Sequence, residues 1–362
     1  MGSGGAEKTL LNLTTNDDKN FHHVITLKRE NFYKSNLEKN NIKLYEFDFD
    51  KKNKLLEFIK LTLYLKKNKP DILQTWLYHS DLIGSVAGFI VGIDKIFWNI
   101  RSSLNKKLNL RNYIYYKILS ILSNYIPVKI ISCSIEACKQ YKEIGYNKNK
   151  FFYIPNGIGN IKDHNKKKSS ISADIINKIQ NKFVICMIAR LADQKNHFFL
   201  LKNFNDINKE FNDNLLLLLI GKNIKSKQFQ DKIKNIIDLE KIICVDEVDN
   251  IIEYHSFIDL HVLTSSYGEG FPNVILETLF NKIPNISSDV GDSKYIIDNE
   301  DLVFKANDSN EFKTKIIKII KKISNKDENF NNYINERSSK LSNQYSLNQM
   351  IKNYNEIWLM NK

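Results

Sequence analysis

The chain has 362 residues, of which 42% are hydrophobic, and its formal net charge is +13. This length and hydrophobic content exclude a disordered chain and favour two globular domains, because domains usually contain about 100–200 residues. No Arg-rich tract, zinc-finger spacing or aromatic RNA-binding pattern accompanies the charge, so nucleic acid is the weakest explanation for it. An anionic membrane surface, small anionic substrates and a general Asn/Lys/Ile compositional bias remain as explanations.

The first part of the chain alternates short β-like runs with longer helical runs, which predicts a parallel, doubly wound α/β sheet. The predicted strands are His23–Leu27, Lys43–Phe47, Ile72–Thr75, Ile96–Asn99, Ile130–Ser134 and Phe151–Ile154. The predicted helices are Glu7–Leu13, Leu55–Lys66 and Leu82–Gly92.

The alternation restarts after a polar stretch, residues 159–172, which we interpret as an interdomain linker. Uninterrupted apolar runs follow, as expected for strands that are covered on both faces. The predicted strands here are Phe183–Ile188, Leu215–Ile220, Ile242–Val245, Leu260–Thr264 and Asn285–Ser287, and a last helix covers Leu347–Leu359. We therefore predict domains at residues 1–165 and 166–345, with residues 346–362 packing back towards the first domain.

The N-terminus departs from this pattern. A doubly wound domain begins with a strand that leads into a glycine-rich loop. This chain opens directly on the loop, Met1-Gly2-Ser3-Gly4-Gly5-Ala6-Glu7, and a helix follows. Either the true start lies upstream, or one central strand is absent.

Four cysteines are scattered without metal-binding or disulfide spacing, as in a cytosolic protein with reduced thiols. No secretory signal is visible, and the longest apolar run is shorter than the about 20 residues that a spanning helix needs. The sequence therefore predicts a protein that is soluble or peripherally attached to a membrane.

The segment from Leu260 to Phe280 combines a buried strand, a turn with two glycines and a helix. Pro272 suits the first position of that helix, whose N-terminus is a potential diphosphate site. Gly270 permits a close approach of the backbone to a ligand, and Glu269 and Glu277 offer carboxylates to sugar hydroxyls. The alternative is that both glutamates are ordinary solvated side chains.

A second motif follows strand Phe183–Ile188. Arg190 and Lys195 lie at its carboxyl end, where open α/β sheets bind ligands. Two cations there would neutralise the charge that develops on a leaving diphosphate. In a lysine-rich chain, the alternative is two ordinary surface cations.

Polar residues also follow two predicted strands of the first domain. His79 is a candidate cleft residue by its place after a strand, and the alternative is a packing histidine near a helix cap. Asn99 and Arg101 are weaker candidates to line a ligand cleft, and the alternative is an ordinary loop.

These motifs resemble those of the retaining glycosyltransferases of family 4, which are group 1 glycosyl transferases of the GT-B fold. The resemblance covers essentially the whole chain, and its C-terminal motifs are the specific ones. The matching segments are Gly4-Gly5-Ala6-Glu7, Ile154-Pro155-Asn156-Gly157-Ile158, Arg190-Leu191 with Gln194-Lys195-Asn196, Glu269-Gly270-Phe271-Pro272-Asn273 with Glu277, and Val290-Gly291-Asp292. Gly159 stands where the family usually has Asp.

The resemblance implies an α/β protein with two Rossmann-like domains that face each other across a cleft. It implies a nucleotide-sugar site formed by Gly4, Gly5, Arg190, Lys195, Glu269, Gly270, Phe271, Pro272, Asn273 and Glu277. The implied catalytic residues are Glu269, His79, Arg190 and Lys195. In a protein of this kind His79 would hydrogen-bond the donor sugar, and Asn99 and Arg101 are weaker candidates to line the acceptor cleft. Retention of configuration and a UDP-sugar donor are expected, and neither a metal nor another cofactor is required.

We therefore expect an enzyme that adds a hexose or N-acetylhexosamine to a lipid-linked glycan of O-antigen, capsule or lipopolysaccharide type at the inner face of a membrane. Residues 106–125 combine basic residues with a tyrosine-rich apolar helix, which suits either docking on anionic lipid or packing on the core. Two alternatives remain: a glycosyltransferase with a soluble acceptor, or a truncated, non-catalytic sugar-nucleotide-binding protein.

Overall fold

The structure is a computed structural model that describes residues 2, 4–29, 31–50, 53–104, 109–159, 171–248 and 250–360. The chain divides into two compact units. Unit 1 comprises Met1–Gly159 and Tyr345–Lys362, and unit 2 comprises Asn160–Gln344. The predicted boundary at residue 165, most of the predicted linker, and Lys106 and Lys107 lie outside the described residues.

Unit 1 contains each of the six strands that the sequence predicts, with ends within about two residues of the prediction. They are β1 (His23–Thr26), β2 (Lys43–Glu46), β3 (Ile72–Gln74), β4 (Lys95–Ile100), β5 (Lys129–Ser132) and β6 (Phe151–Tyr153). The helices of its first segment are α1 (Gly5–Asn16), α2 (Lys34–Lys39), α3 (Lys54–Asn68), α4 (Tyr78–Ile90), α5 (Leu110–Leu122) and α6 (Ile135–Ile144).

The parallel strands of unit 1 form two separate sheets. β1 pairs with β2, and β3, β4, β5 and β6 pair in that order. A doubly wound sheet has the order 3-2-1-4-5-6, so without its first strand it divides between β1 and β3. This is the division observed among the described residues. Side chains still bridge it, because Ile25 and Tyr45 pack on the cluster that contains Ile96 and Trp98.

Local signals in the sequence set the helix ends. Before α6, the Ser134 hydroxyl accepts a hydrogen bond from the Ala137 amide at 3.1 Å. After α6, Gly145 adopts a φ of 116°, a left-handed conformation that favours glycine. Together these two residues fix where the helix begins and ends.

Unit 2 has one parallel sheet of six strands in the order β12-β11-β10-β7-β8-β9. The strands are β7 (Phe183–Ile188), β8 (Leu215–Ile220), β9 (Ile242–Val245), β10 (Leu260–Leu263), β11 (Asn285–Ser288) and β12 (Val303–Phe304). The helices are α7 (Ala173–Ile179), α8 (His197–Lys209), α9 (Lys227–Ile233), α10 (Ile252–His255), α11 (Asn273–Phe280), α12 (Ser293–Ile297), α13 (Ser309–Ser324) and α14 (Glu328–Gln344). The sequence did not predict β12, because two residues are too few to show a period.

The last helix, α15 (Leu347–Trp358), belongs to unit 1. The Ile158 amide donates to the Tyr345 carbonyl at 2.8 Å, and the Leu347 amide donates to the Ile158 carbonyl at 2.9 Å. Gly157 makes this docking feasible, because a Cβ there would lie 2.7 Å from the Leu347 Cα. The segment Asn156-Gly157-Ile158 therefore provides the backbone surface on which the C-terminal helix packs. Within the described part of the chain, no helix combines the length and hydropathy needed to cross a membrane.

We expect Gly157→Ala to reduce the free energy of unfolding of unit 1 by about 1–3 kcal/mol, the usual cost of overpacking. The matched control is Gly159→Ala, whose Cβ would meet only the Leu347 Cδ2 at 3.4 Å. Urea denaturation followed by tryptophan fluorescence reports on unit 1, since all three tryptophans lie in it. Equal effects of the two substitutions would contradict the packing explanation.

Candidate functional site

The loops at the carboxyl edge of the unit 2 sheet are tied together by their backbones. The Ser266 amide donates to the Gln194 carbonyl at 2.7 Å and joins the loops after β10 and β7. The Asp292 amide donates to the Gly270 carbonyl at 2.8 Å and joins the loops after β11 and β10. These strands are neighbours in the sheet, so the edge presents one continuous set of loops. Ligands of open α/β sheets bind at such edges.

Lys195 and Glu269 are in direct contact at this edge. The Lys195 Nζ lies 2.5 Å from the Glu269 Oε1, and the two side chains are 15% and 8% exposed. The Ser265 hydroxyl donates to the same oxygen, and the Thr264 hydroxyl donates to the Lys195 carbonyl at 3.1 Å. The structure thus brings together two predicted site residues that are far apart in sequence.

Arg190 lies two residues beyond β7, and its side chain is exposed. Among the described residues it forms no ion pair. Gly221 follows β8 with a φ of 153° and packs against the backbone of Ala189 and Arg190. A Cβ at Gly221 would lie 2.2 Å from the Ala189 carbonyl oxygen. Arg190 is therefore a solvent-accessible cation on a tightly packed loop.

The helix that follows the glycine-rich turn differs in one detail from the sequence-based prediction. α11 begins at Asn273, and Pro272 occupies the N-cap rather than the first helical position. No side chain caps this end of the helix at Pro272. Gly268, with a φ of 77°, is the glycine that makes the left-handed turn. Glu277 is half-buried on α11.

Two of the predicted binding residues are buried. The side chains of Phe271 and Pro272 face the interior, so any ligand contact they make is through the backbone. Gly291 packs against the backbone that precedes them with a φ of 61°, and a Cβ there would lie 2.4 Å from the Gly270 carbonyl oxygen. The close approach fixes the position of the Glu269–Gly270 backbone.

Asn307 belongs to this edge although sequence reasoning missed it. Its side-chain oxygen accepts from the Asn196 amide group at 2.8 Å and from the Ser266 hydroxyl at 3.0 Å. It thereby connects the loops after β7 and β10 to the segment that precedes α13. One asparagine in an asparagine-rich chain carries no signal that separates it from the others.

The other predicted site residues lie in unit 1. Gly4 is the N-cap of α1 and Gly5 is its first residue, and no side chain caps the helix at Gly4. A Cβ at Gly4 would lie 2.7 Å from the Glu7 Oε2, so the glycine leaves room for that carboxylate.

His79 lies in the first turn of α4 and is exposed. Although the side chain reaches solvent, the surrounding protein partly desolvates the imidazole and lowers its pKa. The charge of Lys28 lowers the pKa further, so the ring is neutral at pH 7. The preceding cap residue, Leu77, has φ 70° and ψ 153°, a region that is almost restricted to glycine. Strain of this kind concentrates at functional sites, which favours a functional role for the segment.

Arg101 and Asn99 are buried at the end of β4 rather than displayed on an open surface. The Arg101 guanidinium stacks over the Trp76 ring at 4.9 Å and donates through Nη2 to the Asn156 side chain. Its Nε and Nη1 are buried without a hydrogen-bond partner. The Asn99 side chain donates to the Tyr354 hydroxyl at 2.9 Å.

The charge of Arg101 is not compensated locally. Among the described residues no carboxylate pairs with it, although its exposure is only 8%. A buried cation without a counter-ion is costly, so its retention favours a role towards an anion. Within the same described ranges, no cluster of three or more His, Cys, Asp or Glu side chains suited to a metal ion is present.

Comparison with known proteins finds a family model that matches part of unit 2. Residues 169–337 match the model of the glycosyl transferases group 1. This segment contains Arg190, Lys195, Glu269 and Glu277.

Three curated relatives are similar in sequence. An uncharacterized glycosyltransferase of Methanocaldococcus jannaschii is 25% identical over 64% of this chain, and the alignment spans 58% of that protein, less than two thirds of its length. The Escherichia coli UDP-Gal:alpha-D-GlcNAc-diphosphoundecaprenol alpha-1,3-galactosyltransferase is 24% identical over 72% of this chain and 69% of that protein. The Staphylococcus aureus capsular polysaccharide biosynthesis glycosyltransferase CapH is 25% identical over 82% of this chain and 81% of that protein.

The fold is shared with a solved structure. Anabaena HepE, crystallised in complex with UDP-glucose, superposes with a TM-score of 0.80 at 16% identity and covers 98% of this chain and 96% of its own. The chain therefore has the GT-B fold with two Rossmann-like units, as the sequence predicts.

Two buried histidines support the loops of the unit 2 site. The His197 Nε2 lies 3.2 Å from the Ala189 carbonyl, and the His261 Nδ1 lies 2.6 Å from the Asn285 side-chain oxygen. Burial lowers the pKa of each imidazole from 6.5 to about 4. Both rings are therefore neutral in the folded unit at neutral pH.

We expect the stability of unit 2 to fall as the pH falls from about 6.5 towards 4. In this window the unfolded chain binds protons at these histidines and the folded chain does not, so acid favours unfolding, by roughly 1–2 kcal/mol per histidine at pH 5. Hydrogen exchange of unit 2 peptides across a urea titration measures the slope for unit 2 alone. His197→Gln should reduce the slope, and His79→Gln, in unit 1, should not. A slope unchanged by His197→Gln would contradict the assignment.

Proposed function

We propose that this chain, a glycosyltransferase whose residues 169–337 belong to the group 1 family, transfers a hexose or N-acetylhexosamine from a UDP-sugar to a lipid-linked glycan. The observation that carries the proposal is the Lys195–Glu269 pair at the sheet edge beside the start of α11. The pair would offer an ammonium group to the phosphates and a carboxylate to the sugar of a nucleotide-sugar donor.

The donor diphosphate would bind to Arg190, Lys195 and the positive end of the α11 dipole. Because Lys195 already contacts Glu269, it would share its ammonium group between that carboxylate and the phosphates. The oxygens of Glu269 would then accept hydrogen bonds from hydroxyl groups of the donor sugar. Glu277 would accept hydrogen bonds from the ribose.

We propose that transfer proceeds with retention of configuration. The bond between the sugar C1 and the oxygen of the β-phosphate breaks, and the acceptor oxygen bonds to C1 on the same face. The proton of the acceptor hydroxyl passes to the departing phosphate oxygen. Arg190 and Lys195 would stabilise the charge on the departing UDP, a role that needs no metal.

The relatives support the choice of substrates. The name of the Escherichia coli relative gives UDP-Gal as its donor and a diphosphoundecaprenol-linked GlcNAc as its acceptor, and HepE was crystallised with UDP-glucose. CapH belongs to capsular polysaccharide biosynthesis. We accordingly propose a cytoplasmic reaction in the assembly of a capsule, O-antigen or lipopolysaccharide glycan, at the membrane that holds the lipid acceptor.

Arg101 favours a lipid diphosphate over a neutral soluble acceptor. It provides an uncompensated positive charge at the end of β4, beside Trp76 and the strained Leu77. Such a charge attracts a phosphate-bearing acceptor. Gly4 and Gly5, at the start of α1, and His79 are donor-binding residues that the family resemblance implies.

We expect titration calorimetry with UDP-, GDP- and dTDP-sugars to show binding of a UDP-sugar, and transfer assays with the same panel to show turnover. Lys195→Ala and Glu277→Ala should each weaken donor binding at least tenfold, because each removes a charged hydrogen-bonding partner. The control is Lys209→Ala, an exposed lysine at the end of α8. If no donor binds, or if the first two variants bind like the wild type, the proposal fails. Binding without turnover would instead indicate the non-catalytic alternative.

We expect Arg101→Met to raise the KM for a diphosphate-linked acceptor about tenfold or more while leaving donor affinity unchanged. The substitution removes an unpaired buried cation, so the stability of unit 1 should hold or increase. The KM for an acceptor without phosphate is the internal control. A loss of stability with no change in the KM for the diphosphate-linked acceptor would assign Arg101 a purely structural role.

A further inference from the structure

The outward faces of α3, α4 and α5 expose many large apolar side chains. Leu55 is 72% exposed on α3, Ile90 is 60% exposed on α4, and Leu110 is 75% exposed on α5. The others are Leu56, Ile59 and Leu63 on α3, Phe89 on α4, Tyr113, Ile114, Ile118 and Ile121 on α5, and Tyr125 just beyond it. Soluble proteins rarely expose this much apolar surface on neighbouring elements without a partner.

These three helices form one layer. Leu61 of α3, Ala87 of α4 and Leu119 of α5 pack into the same core cluster on one face of the unit 1 sheet. α4 contacts α3 on one side and α5 on the other. The sides of the helices that turn away from this cluster therefore form a continuous surface, which we call the α3–α5 face.

The spacing of the apolar residues agrees with this geometry. On α5, Leu110, Ile114 and Ile118 recur every four residues, on the side opposite Tyr116 and Leu119. α5 is thus apolar on two sides, and only one of them is covered by the core.

Nearly all the charged side chains that these helices expose are basic. The Lys and Arg residues of the three helices are Lys54, Lys60, Lys66, Lys67, Arg111 and Lys117. The two acidic residues, Glu57 and Asp81, are buried, and only Lys60 is paired with one of them, at 2.7 Å from Glu57. An exposed apolar surface that also carries unpaired lysines and arginines complements an anionic lipid bilayer.

We propose that the α3–α5 face docks on an anionic membrane, with its apolar side chains in the interfacial region and its cations on the lipid headgroups. The inference rests on the proposed function in one respect, since a lipid-linked acceptor is presented at such a surface. A second copy of the chain fits this face poorly. A two-fold symmetric contact would bring together two surfaces that both carry basic side chains and bury their acidic ones, so the two surfaces would repel each other.

Sedimentation with vesicles tests the proposal on the full chain. The wild type should bind vesicles of phosphatidylcholine with 30% phosphatidylglycerol at least tenfold more tightly than pure phosphatidylcholine vesicles, and salt should weaken the binding. The double variant Ile114→Glu/Ile118→Glu should lose at least tenfold in affinity for the anionic vesicles. Because both residues are about half exposed, its circular dichroism spectrum and unfolding midpoint should match the wild type.

The matched control is Ile176→Glu/Leu239→Glu, two residues of unit 2 with exposures of 39% and 43%. It introduces the same charges away from the α3–α5 face and should bind like the wild type. Equal binding of the two double variants, or a wild-type dimer that Ile114→Glu/Ile118→Glu dissociates, would overturn the proposal. Gel filtration of the three proteins measures the second outcome.

Transfer assays separate this proposal from the proposed function. With a water-soluble, short-chain acceptor analogue, Ile114→Glu/Ile118→Glu should keep the wild-type kcat/KM, whereas with an acceptor embedded in anionic vesicles it should lose at least tenfold. Vesicle binding by a wild type that transfers no sugar would refute the proposed function alone. Transfer by a wild type that does not bind vesicles would refute the docking proposal alone.

Discussion

The ion pair between Lys195 and Glu269 is the contact around which the rest of the unit 2 site is arranged. Both groups are largely removed from water, so each depends on the other for charge compensation. The pair joins the loop after β7 to the loop after β10, and Thr264 and Ser265 fasten its two ends. Under the proposed function, a ligand with two phosphates would change this balance, because it would offer Lys195 a second anion and release acceptor capacity on Glu269.

Close backbone packing holds that contact in place. Gly221 and Gly291 each lie against a neighbouring loop at distances that exclude a side chain, and both adopt positive φ angles. The loop bearing Arg190 is supported by the first glycine, and the backbone of Glu269 by the second. The charged groups of the site therefore stand on rigid loops, which favours electrostatic stabilisation that needs little reorganisation.

The sequence predicted the features that depend on local pattern and left out those that depend on the tertiary fold. β7 and β8 match their predicted limits, because uninterrupted apolar runs bounded by polar residues define a buried strand. For Lys195 and Glu269, the sequence predicted only that both lie at the same edge of the sheet, and not that they are in contact. The sequence did not indicate that Arg101 lacks a carboxylate partner, because the tertiary fold decides which side chains surround it. Asn99 illustrates the same limit, because its position near a strand end did not reveal that the fold buries it against Tyr354.

The net charge of +13 is ambiguous in the sequence, and the structure shows where the basic side chains are paired and where they are not. Part of the basic charge of unit 2 is paired at its surface, as on α13, where Lys313, Lys315 and Lys318 each contact a carboxylate. The α3–α5 face of unit 1 differs, because it sets basic residues beside exposed leucine and isoleucine while its acidic side chains are buried. Composition alone does not separate these arrangements, because a paired lysine and an unpaired lysine contribute equally to the net charge. Only the second leaves a charge and an apolar surface that a single anionic, apolar partner satisfies together.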